Sequence, residues 1–193
     1  MNNLKDGYIR VVNPFLIIFQ ANLVNGKIYN MEVFITAMML WISSVTGYTI
    51  PELPQIIYLS SVDIKKYAYG CDKAIIPPEN KDICDAQEFW DLDDINNERA
   101  PIALYDNKQQ HIILNEKFNI ETVHDQSVLL HELIHHVQLH NGVYKKVKCK
   151  NELEAEAYEL HDKWLREKYG VTLKNIIGIN ELFLIFVTTC QYK

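Results

Sequence analysis

The sequence predicts a single α+β domain in which a small, mostly antiparallel sheet packs against two long helices. Short β-branched segments bounded by turn residues occur at 55–60, 102–105 and 111–114, as expected for strands. Residues 126–140 and 152–169 instead repeat apolar side chains at the three- and four-residue spacing of a helix. A chain of 193 residues can bury one substantial core but is short for two, so we expect one domain spanning 1–193.

The composition is that of an ordinary globular protein, with 48% apolar and 23% charged residues. The formal net charge of -6, without a basic stripe, argues against a nucleic acid or an anionic membrane surface as partner. The apolar stretch 31–45 is interrupted by polar residues and is shorter than the roughly 20 residues that cross a bilayer. We therefore expect no membrane span.

Residues 31–70 are predicted to form a helix, a strand and a second, short helix. The first helix is apolar on most faces and ends at Thr46, where Gly47 can adopt the left-handed conformation of a helix end. Two prolines then precede the strand, and Ser61 can cap a helix that continues to Tyr69.

The segment 71–100 is predicted to be a long irregular loop, because it is polar and acidic and lacks a sustained period. Loops of this length are sometimes lids, although a solvated loop without a role is more common. The two short strands that follow, 102–105 and 111–114, are separated by five polar residues and predict a β-hairpin.

Two long helices follow the hairpin, and together with it they make up residues 102–169. Asp125 can cap the first helix, and Asn151 can cap the second. The segment 172–190 is apolar, and we expect it to be helical in part.

The first long helix contains the pattern H-E-x-x-H at residues 131–135. Residues four positions apart in a helix lie one turn apart and about 40° apart around the axis, so His131 and His135 can both reach one metal ion. Zinc accepts such imidazole nitrogens. Glu132 points to a neighbouring sector, where it can act as a general base on water without binding the metal.

A catalytic zinc site usually has three protein ligands and one water molecule, so a third ligand is needed. The start of the second long helix offers Glu152, Glu154 and Glu156. The helix dipole also favours carboxylates at this position, and the residues alone leave the choice among them open.

These motifs resemble the gluzincin clan of zinc metallopeptidases, and particularly its small bacterial members, the minigluzincins. In that clan, H-E-x-x-H is completed by a glutamate on a following helix, commonly within E-x-x-A-[DN]. Residues 154–158 read E-A-E-A-Y, so the resemblance assigns the third ligand to Glu154, with Glu156 as the runner-up. Tyr158 replaces the usual Asp or Asn, which in the clan contacts a metal-binding histidine.

The resemblance covers about residues 102–164 and implies a zincin-like fold, a zinc cofactor and hydrolysis of a peptide or protein substrate, as an endopeptidase rather than an exopeptidase. It also implies that the strand 111–114 is the edge strand that pairs with an extended peptide. Tyr144, Tyr158 and His161 are candidate donors to the oxyanion.

A protein that uses zinc for structure or regulation is the alternative, as is an effector or toxin protease with a single substrate. Structural zinc sites are usually closed by four protein ligands, often cysteines. Cys149, five residues before Glu154, is the residue to examine for such a closure, with a free or bridged thiol as the ordinary interpretation. The presence of Glu132 favours catalysis. His136 and His140 are also four apart but lack an intervening glutamate, so we expect them to face solvent or cap the helix.

The four cysteines form no C-x-x-C pair, which argues against a zinc knuckle or a thioredoxin-like site. A disulfide between Cys71 and Cys84 could close the loop between them and would suit an oxidising compartment, whereas free thiols would suit the cytosol. The sequence therefore leaves the location open, cytoplasmic by default and exported as the alternative, and it leaves the oligomeric state open as well.

Overall fold

Six α-helices and a three-stranded sheet make up the part of the chain that the computed structural model describes, residues 31–71 and 100–190. In chain order the elements are α1 (Met31–Thr46), β1 (Gln55–Leu59), α2 (Ser61–Tyr69), β2 (Ala103–Asp106), β3 (His111–Asn115), α3 (Val123–His140), a 3-10 turn (Val143–Lys145), α4 (Lys150–Tyr169), α5 (Leu173–Ile177) and α6 (Glu181–Thr188). The α+β class is confirmed. Within the described ranges, no helix combines the length and the apolar character that a membrane crossing requires.

Helix α3 begins three residues earlier than the predicted cap at Asp125 would place it. The side chain of Thr122 caps it by accepting from the backbone N–H of Asp125 at 3.1 Å. The Asp125 carboxylate reaches back and accepts from the N–H of Asn119 at 2.7 Å. The prediction was wrong because an aspartate in the first turn can satisfy an amide that precedes the helix, as a capping-box residue does. Similarly, Ser60 rather than Ser61 caps α2.

The predicted cap of α4 at Asn151 is also wrong. The helix begins at Lys150, and Cys149 precedes it without a side-chain cap. The Asn151 side chain instead donates to the carbonyl oxygens of Phe186 and Thr189, at the far end of α6. A contact across 35 residues of sequence leaves no local signal.

The sheet has the strand order β1-β3-β2, with β2 antiparallel and β1 parallel to β3. The predicted hairpin is confirmed, but the sheet is mixed rather than mostly antiparallel. The chain between β1 and β3 includes α2 and is long enough for the crossover that a parallel pair needs. The strand 111–114, predicted as the edge strand, lies at the centre. Its nearly continuous buried run is typical of a central strand.

The core lies between α3, the sheet and the flanking helices α1 and α4. Helices α1 and α3 each contribute five buried residues to this core, and the apolar face of α3 is almost completely buried: Leu129, Leu130, Leu133, Ile134 and Val137. Ala157 of α4 is also fully buried, and its small side chain lets α4 approach α3 closely. This packing fixes the position of the H-E-x-x-H helix.

Two sequence predictions fall on residues outside the described part. The irregular loop at 71–100 corresponds almost entirely to residues 72–99, and Cys84 lies within them.

The predicted helical character of 172–190 is confirmed by α5 and α6.

Candidate metal centre

Three side chains from two helices converge at one point. The Nε2 atoms of His131 and His135, on adjacent turns of α3, lie 3.2 Å apart. Glu154 lies on the second turn of α4, with Oε2 of its carboxylate 3.3 Å from Nε2 of His131 and Oε1 3.4 Å from Nε2 of His135. The structure thus brings together the three residues that the sequence and the resemblance proposed as ligands.

The spacing of this triangle of side chains is compatible with a tetrahedral metal site. Ligand atoms about 2.0 to 2.1 Å from a zinc ion, at tetrahedral angles, would lie about 3.3 to 3.4 Å from one another. The Nε2–Nε2 separation of 3.2 Å agrees with that spacing, and each of these nitrogens has one Glu154 carboxylate oxygen 3.3 or 3.4 Å away. His131, His135 and Glu154 could therefore hold a metal ion with little rearrangement.

The proton equilibria of the group also suit a cation. Burial alone would raise the pKa of Glu154, but hydrogen bonds and positive charge from the two histidines hold that pKa far below its usual range. Burial would lower the pKa of His135, but the hydrogen bond to Glu154 and the charge of Glu132 outweigh it and raise the pKa to about 9. A metal ion would replace the proton that His135 carries at neutral pH.

Gln138 fixes the orientation of the His135 ring. Its Nε2 donates to the backbone carbonyl of Leu153 at 3.0 Å and to a carboxylate oxygen of Glu156 at 2.8 Å. The amide oxygen therefore faces Nδ1 of His135 at 2.9 Å, and only an N–H can pair with it. Nδ1 thus carries a proton, and in the neutral ring Nε2 is left free to bind a metal.

Glu156, the runner-up ligand, lies outside the metal group. Its carboxylate accepts from Gln138 and from the phenol of Tyr48, the latter at 2.7 Å. Burial, followed by this hydrogen bond and the charge of Glu156, raises the pKa of Tyr48 to about 12, so the phenol remains a donor. Glu156 and Tyr48 therefore support Gln138, which in turn supports His135.

Only part of this support could be predicted from the sequence. Gln138 lies three residues after His135, on the same helical face, and could have been noticed there. Tyr48 is separated from Glu156 by 108 residues, and nothing local in the sequence connects them.

The surroundings of His131 are aromatic. The ring of Tyr158 lies 4.6 Å from that of His131, and the ring of His161 lies 5.7 Å from it. Burial, followed by the charges of Glu154 and Glu132, raises the pKa of Tyr158 to about 12. Burial lowers the pKa of His161 to about 3, so its ring is neutral. Nδ1 of His131 and both ring nitrogens of His161 are buried and have no hydrogen-bond partner among the described residues.

Glu132 lies next to the triangle rather than in it. Its charge raises the pKa of both His135 and Tyr158, which places the carboxylate within electrostatic reach of each. Its side chain is not part of the group of potential ligands, as the sequence predicted.

His136 does not face solvent, and that prediction was wrong. The residue is buried, its Nε2 donates to the carbonyl of Glu52 at 2.9 Å, and its Nδ1 accepts from the phenol of Tyr105 at 3.1 Å. Burial lowers its pKa, so the ring stays neutral. It joins α3 to β2 and to the segment before β1. His140, in contrast, is exposed as expected.

Cys149 forms a disulfide with Cys190, with the Cα atoms 5.9 Å apart. It is therefore not available as the fourth ligand of a structural zinc site. Cys71 is also disulfide-bonded, and Cys84, its predicted partner, lies outside the described residues.

A cleft of about 690 Å³ opens beside the triangle, with His135 and Glu154 in its wall. Half of its remaining lining residues are aromatic or aliphatic: Tyr105, Leu139, Tyr144, Val147 and Leu153. Tyr144 is about half exposed and lies at this cleft. The metal group is thus reachable by a ligand much larger than water.

Comparisons with known proteins bear on the family of this chain. No curated protein matches it, and no solved structure does. Residues 77–193 match a family described as "Domain of unknown function (DUF6647)". Because the match covers more than half of the 193 residues and includes all of α3 and α4, the chain belongs to this domain family of unknown function.

Proposed function

We propose that this protein is a zinc-dependent peptidase in which His131, His135 and Glu154 bind the metal and Glu132 is the general base. The observation that carries the proposal is the convergence of two imidazole nitrogens, 3.2 Å apart, with a carboxylate whose two oxygens lie 3.3 and 3.4 Å from them, beside a glutamate next to the first histidine. Two imidazoles and one carboxylate are a known ligand set of catalytic zinc, which keeps a fourth position for water or substrate.

A bound zinc ion supplies Lewis acidity toward the scissile carbonyl and makes water acidic enough to lose a proton near neutral pH. Glu132 takes the proton of the attacking water and returns it to the leaving amine, so that one peptide bond yields two peptides. Tyr158, with a pKa near 12, keeps its phenolic proton and is the best-placed candidate to donate to the oxyanion.

An endopeptidase is favoured over an exopeptidase because Glu154 lines two separate cavities. Glu154 borders the cleft of about 690 Å³ and a second cavity of about 520 Å³. A chain could therefore extend past the metal in both directions.

Strand β2, rather than the central β3, is the better candidate to pair with an extended substrate. Tyr105 of β2 lines the cleft. The N–H of Asn115 pairs with the carbonyl of Ile102, and because bonded pairs alternate along an antiparallel ladder, the backbone groups of Tyr105 point away from β3. In the part of the chain that the structure describes, no strand occupies that side of β2.

A zincin-like arrangement is part of the proposal. Helix α3 packs against β2 and against α4, so the H-E-x-x-H helix lies between the sheet and the glutamate-bearing helix. A structural or regulatory zinc site has less support, because the disulfide of Cys149 removes the fourth ligand that such a site would have used. No observation favours a single-substrate effector over a general peptidase.

The decisive variant is Glu132→Gln, with Glu121→Gln as a matched control at an exposed position before α3. A general base typically contributes about 10²- to 10⁴-fold, so kcat/KM toward a mixed peptide pool should fall by about that factor in Glu132→Gln and stay unchanged in the control. Both variants should retain one zinc ion per chain by elemental analysis, counted against protein concentration. Undiminished hydrolysis by Glu132→Gln would contradict the proposed mechanism.

The disulfides support the exported alternative for location. Disulfide-bonded Cys71 and the Cys149–Cys190 pair are typical of oxidising compartments and rare in the cytosol. We therefore propose that the protein acts outside the cytoplasm, which non-reducing mass spectrometry of the protein isolated from its natural source would test.

A further inference from the structure

Helix α6 leaves most of its large apolar side chains exposed. The exposed fractions are 80% for Leu182, 47% for Phe183, 59% for Ile185 and 63% for Phe186. Six of its eight residues are apolar, and no residue of the helix is buried. A contiguous exposed apolar surface of this kind commonly marks a binding site.

Two tethers fix the end of α6 to the start of α4. The disulfide joins Cys149, just before α4, to Cys190, just after α6. Asn151 donates to the carbonyl oxygens of Phe186 and Thr189, at 3.1 and 2.8 Å, and so occupies backbone acceptors at the C-terminal end of α6. Cys149 and Asn151 lie at the start of α4, directly before the turn that carries Glu154.

The tethers place α6 beside the metal group. A cavity of about 520 Å³ is lined by Glu154 and Tyr158 of α4, by Phe186 and Val187 of α6 and by the residues at the start of α4. Glu154 also lines the larger cleft. A peptide that crosses the metal would therefore reach both spaces.

We propose that Phe186 and Val187 form an apolar subsite that selects a large aliphatic or aromatic side chain of the substrate next to the scissile bond. This inference rests on the proposed peptidase function and names the class of substrate. A peptide side chain is favoured as the occupant because these two residues share their cavity with the metal-group residue Glu154 and with Tyr158. The disulfide and Asn151 hold the subsite in place.

The test compares Phe186→Ser with Leu182→Ser, a matched change on the same helix at a residue that does not line the cavity. Cleavage sites in a diverse peptide library should show wild type preferring Phe, Leu, Ile or Met at one position next to the cut. For such peptides, Phe186→Ser should lower kcat/KM by about 10- to 100-fold, the range expected for losing one apolar contact surface, whereas Leu182→Ser should match wild type.

A second readout avoids turnover. In the Glu132→Gln background with zinc bound, fluorescence anisotropy of a labelled apolar peptide should show the same loss of affinity on Phe186→Ser and none on Leu182→Ser. Replacing Cys149 and Cys190 together by serine should weaken the binding of the same apolar peptide, because the end of α6 is then no longer linked to the start of α4. The binding of a peptide with Ser at the selected position should change little.

The outcomes separate this inference from the proposed function. If zinc-loaded wild type cleaves no library peptide, the function fails and the subsite fails with it. If wild type cleaves without apolar preference, or if both serine variants behave alike, only the subsite is overturned. If Phe186→Ser kept the wild-type cleavage preference but had a smaller particle mass than wild type by light scattering, the apolar surface of α6 would instead bind a second copy of the chain. Unchanged selection together with lost binding to phospholipid vesicles would assign it to a lipid surface.

Discussion

At the scale of single side chains, the metal ligands depend on residues that do not touch the metal. Nδ1 of His135 pairs with the Gln138 amide, which Glu156 and Tyr48 hold in turn. Partners of this kind orient a ligand and raise its basicity. The orientation of His135 is therefore set before any metal arrives.

Replacing Gln138 by Leu should weaken zinc binding by about 10- to 100-fold, because the His135 ring loses its acceptor and the partly buried carboxylate of Glu156 loses a donor. The measurement is competition with a chromogenic chelator at fixed pH. Gln109→Leu, an exposed change in the β2–β3 turn, provides the control. If the two variants bound zinc with equal affinity, Gln138 would not contribute to the orientation of His135 for metal binding.

The site residues differ in how far the sequence could identify them. His131, Glu132 and His135 follow from one helical pattern, because four-residue spacing alone determines that two side chains share a face. Glu154 needed a family resemblance, since three glutamates occupy the same helix start. The burial of His136 could not be read from the pattern, because its two partners, Glu52 and Tyr105, come from distant segments.

At the scale of elements, the site is the contact between α3 and α4. Two ligands come from one helix and one from the other, so the metal triangle closes only if the helix separation is correct. Ala157 is fully buried one turn after Glu154, within the core that joins the helices.

Ala157→Leu should force the helices apart, lower the free energy of unfolding by about 1 to 3 kcal/mol and weaken zinc binding. Ala155→Leu is the matched control, because Ala155 is only partly buried and borders an open cavity of about 530 Å³. Urea denaturation and chelator competition on both variants are the measurements. If Ala157→Leu left zinc affinity unchanged, the separation of α3 and α4 would not control the site.

The helices were predicted better than the sheet for a physical reason. Periodic apolar residues and terminal glycines mark a helix within its own sequence, as for α1, which spans Met31–Thr46 as predicted. Strand order depends on pairing between distant segments. Because β1 pairs with β3 in parallel, β3 lies at the centre of the sheet and not at the predicted edge. No local sequence pattern indicates that pairing.

At the scale of the whole molecule, a disulfide bond links the C-terminal segment to the start of α4. The Cys149–Cys190 disulfide has a sequence separation of 41 residues and encloses α4, α5 and α6. A cross-link of this span reduces the freedom of the unfolded chain considerably.

Replacing both Cys149 and Cys190 by serine should therefore lower the free energy of unfolding by about 2 to 4 kcal/mol, measured by urea denaturation without reductant. Adding dithiothreitol to wild type should reproduce the loss from this bond and add that of the other disulfide. If the double variant unfolded at the wild-type midpoint, the bond would contribute no stability to the native chain.

The most direct test of the central claim is X-ray absorption at the zinc edge of the purified, zinc-loaded protein. The account predicts one zinc ion per chain with only nitrogen and oxygen ligands at about 2.0 to 2.2 Å and scattering from two imidazole rings. A sulfur ligand at about 2.3 Å, or an imidazole count other than two, would contradict it.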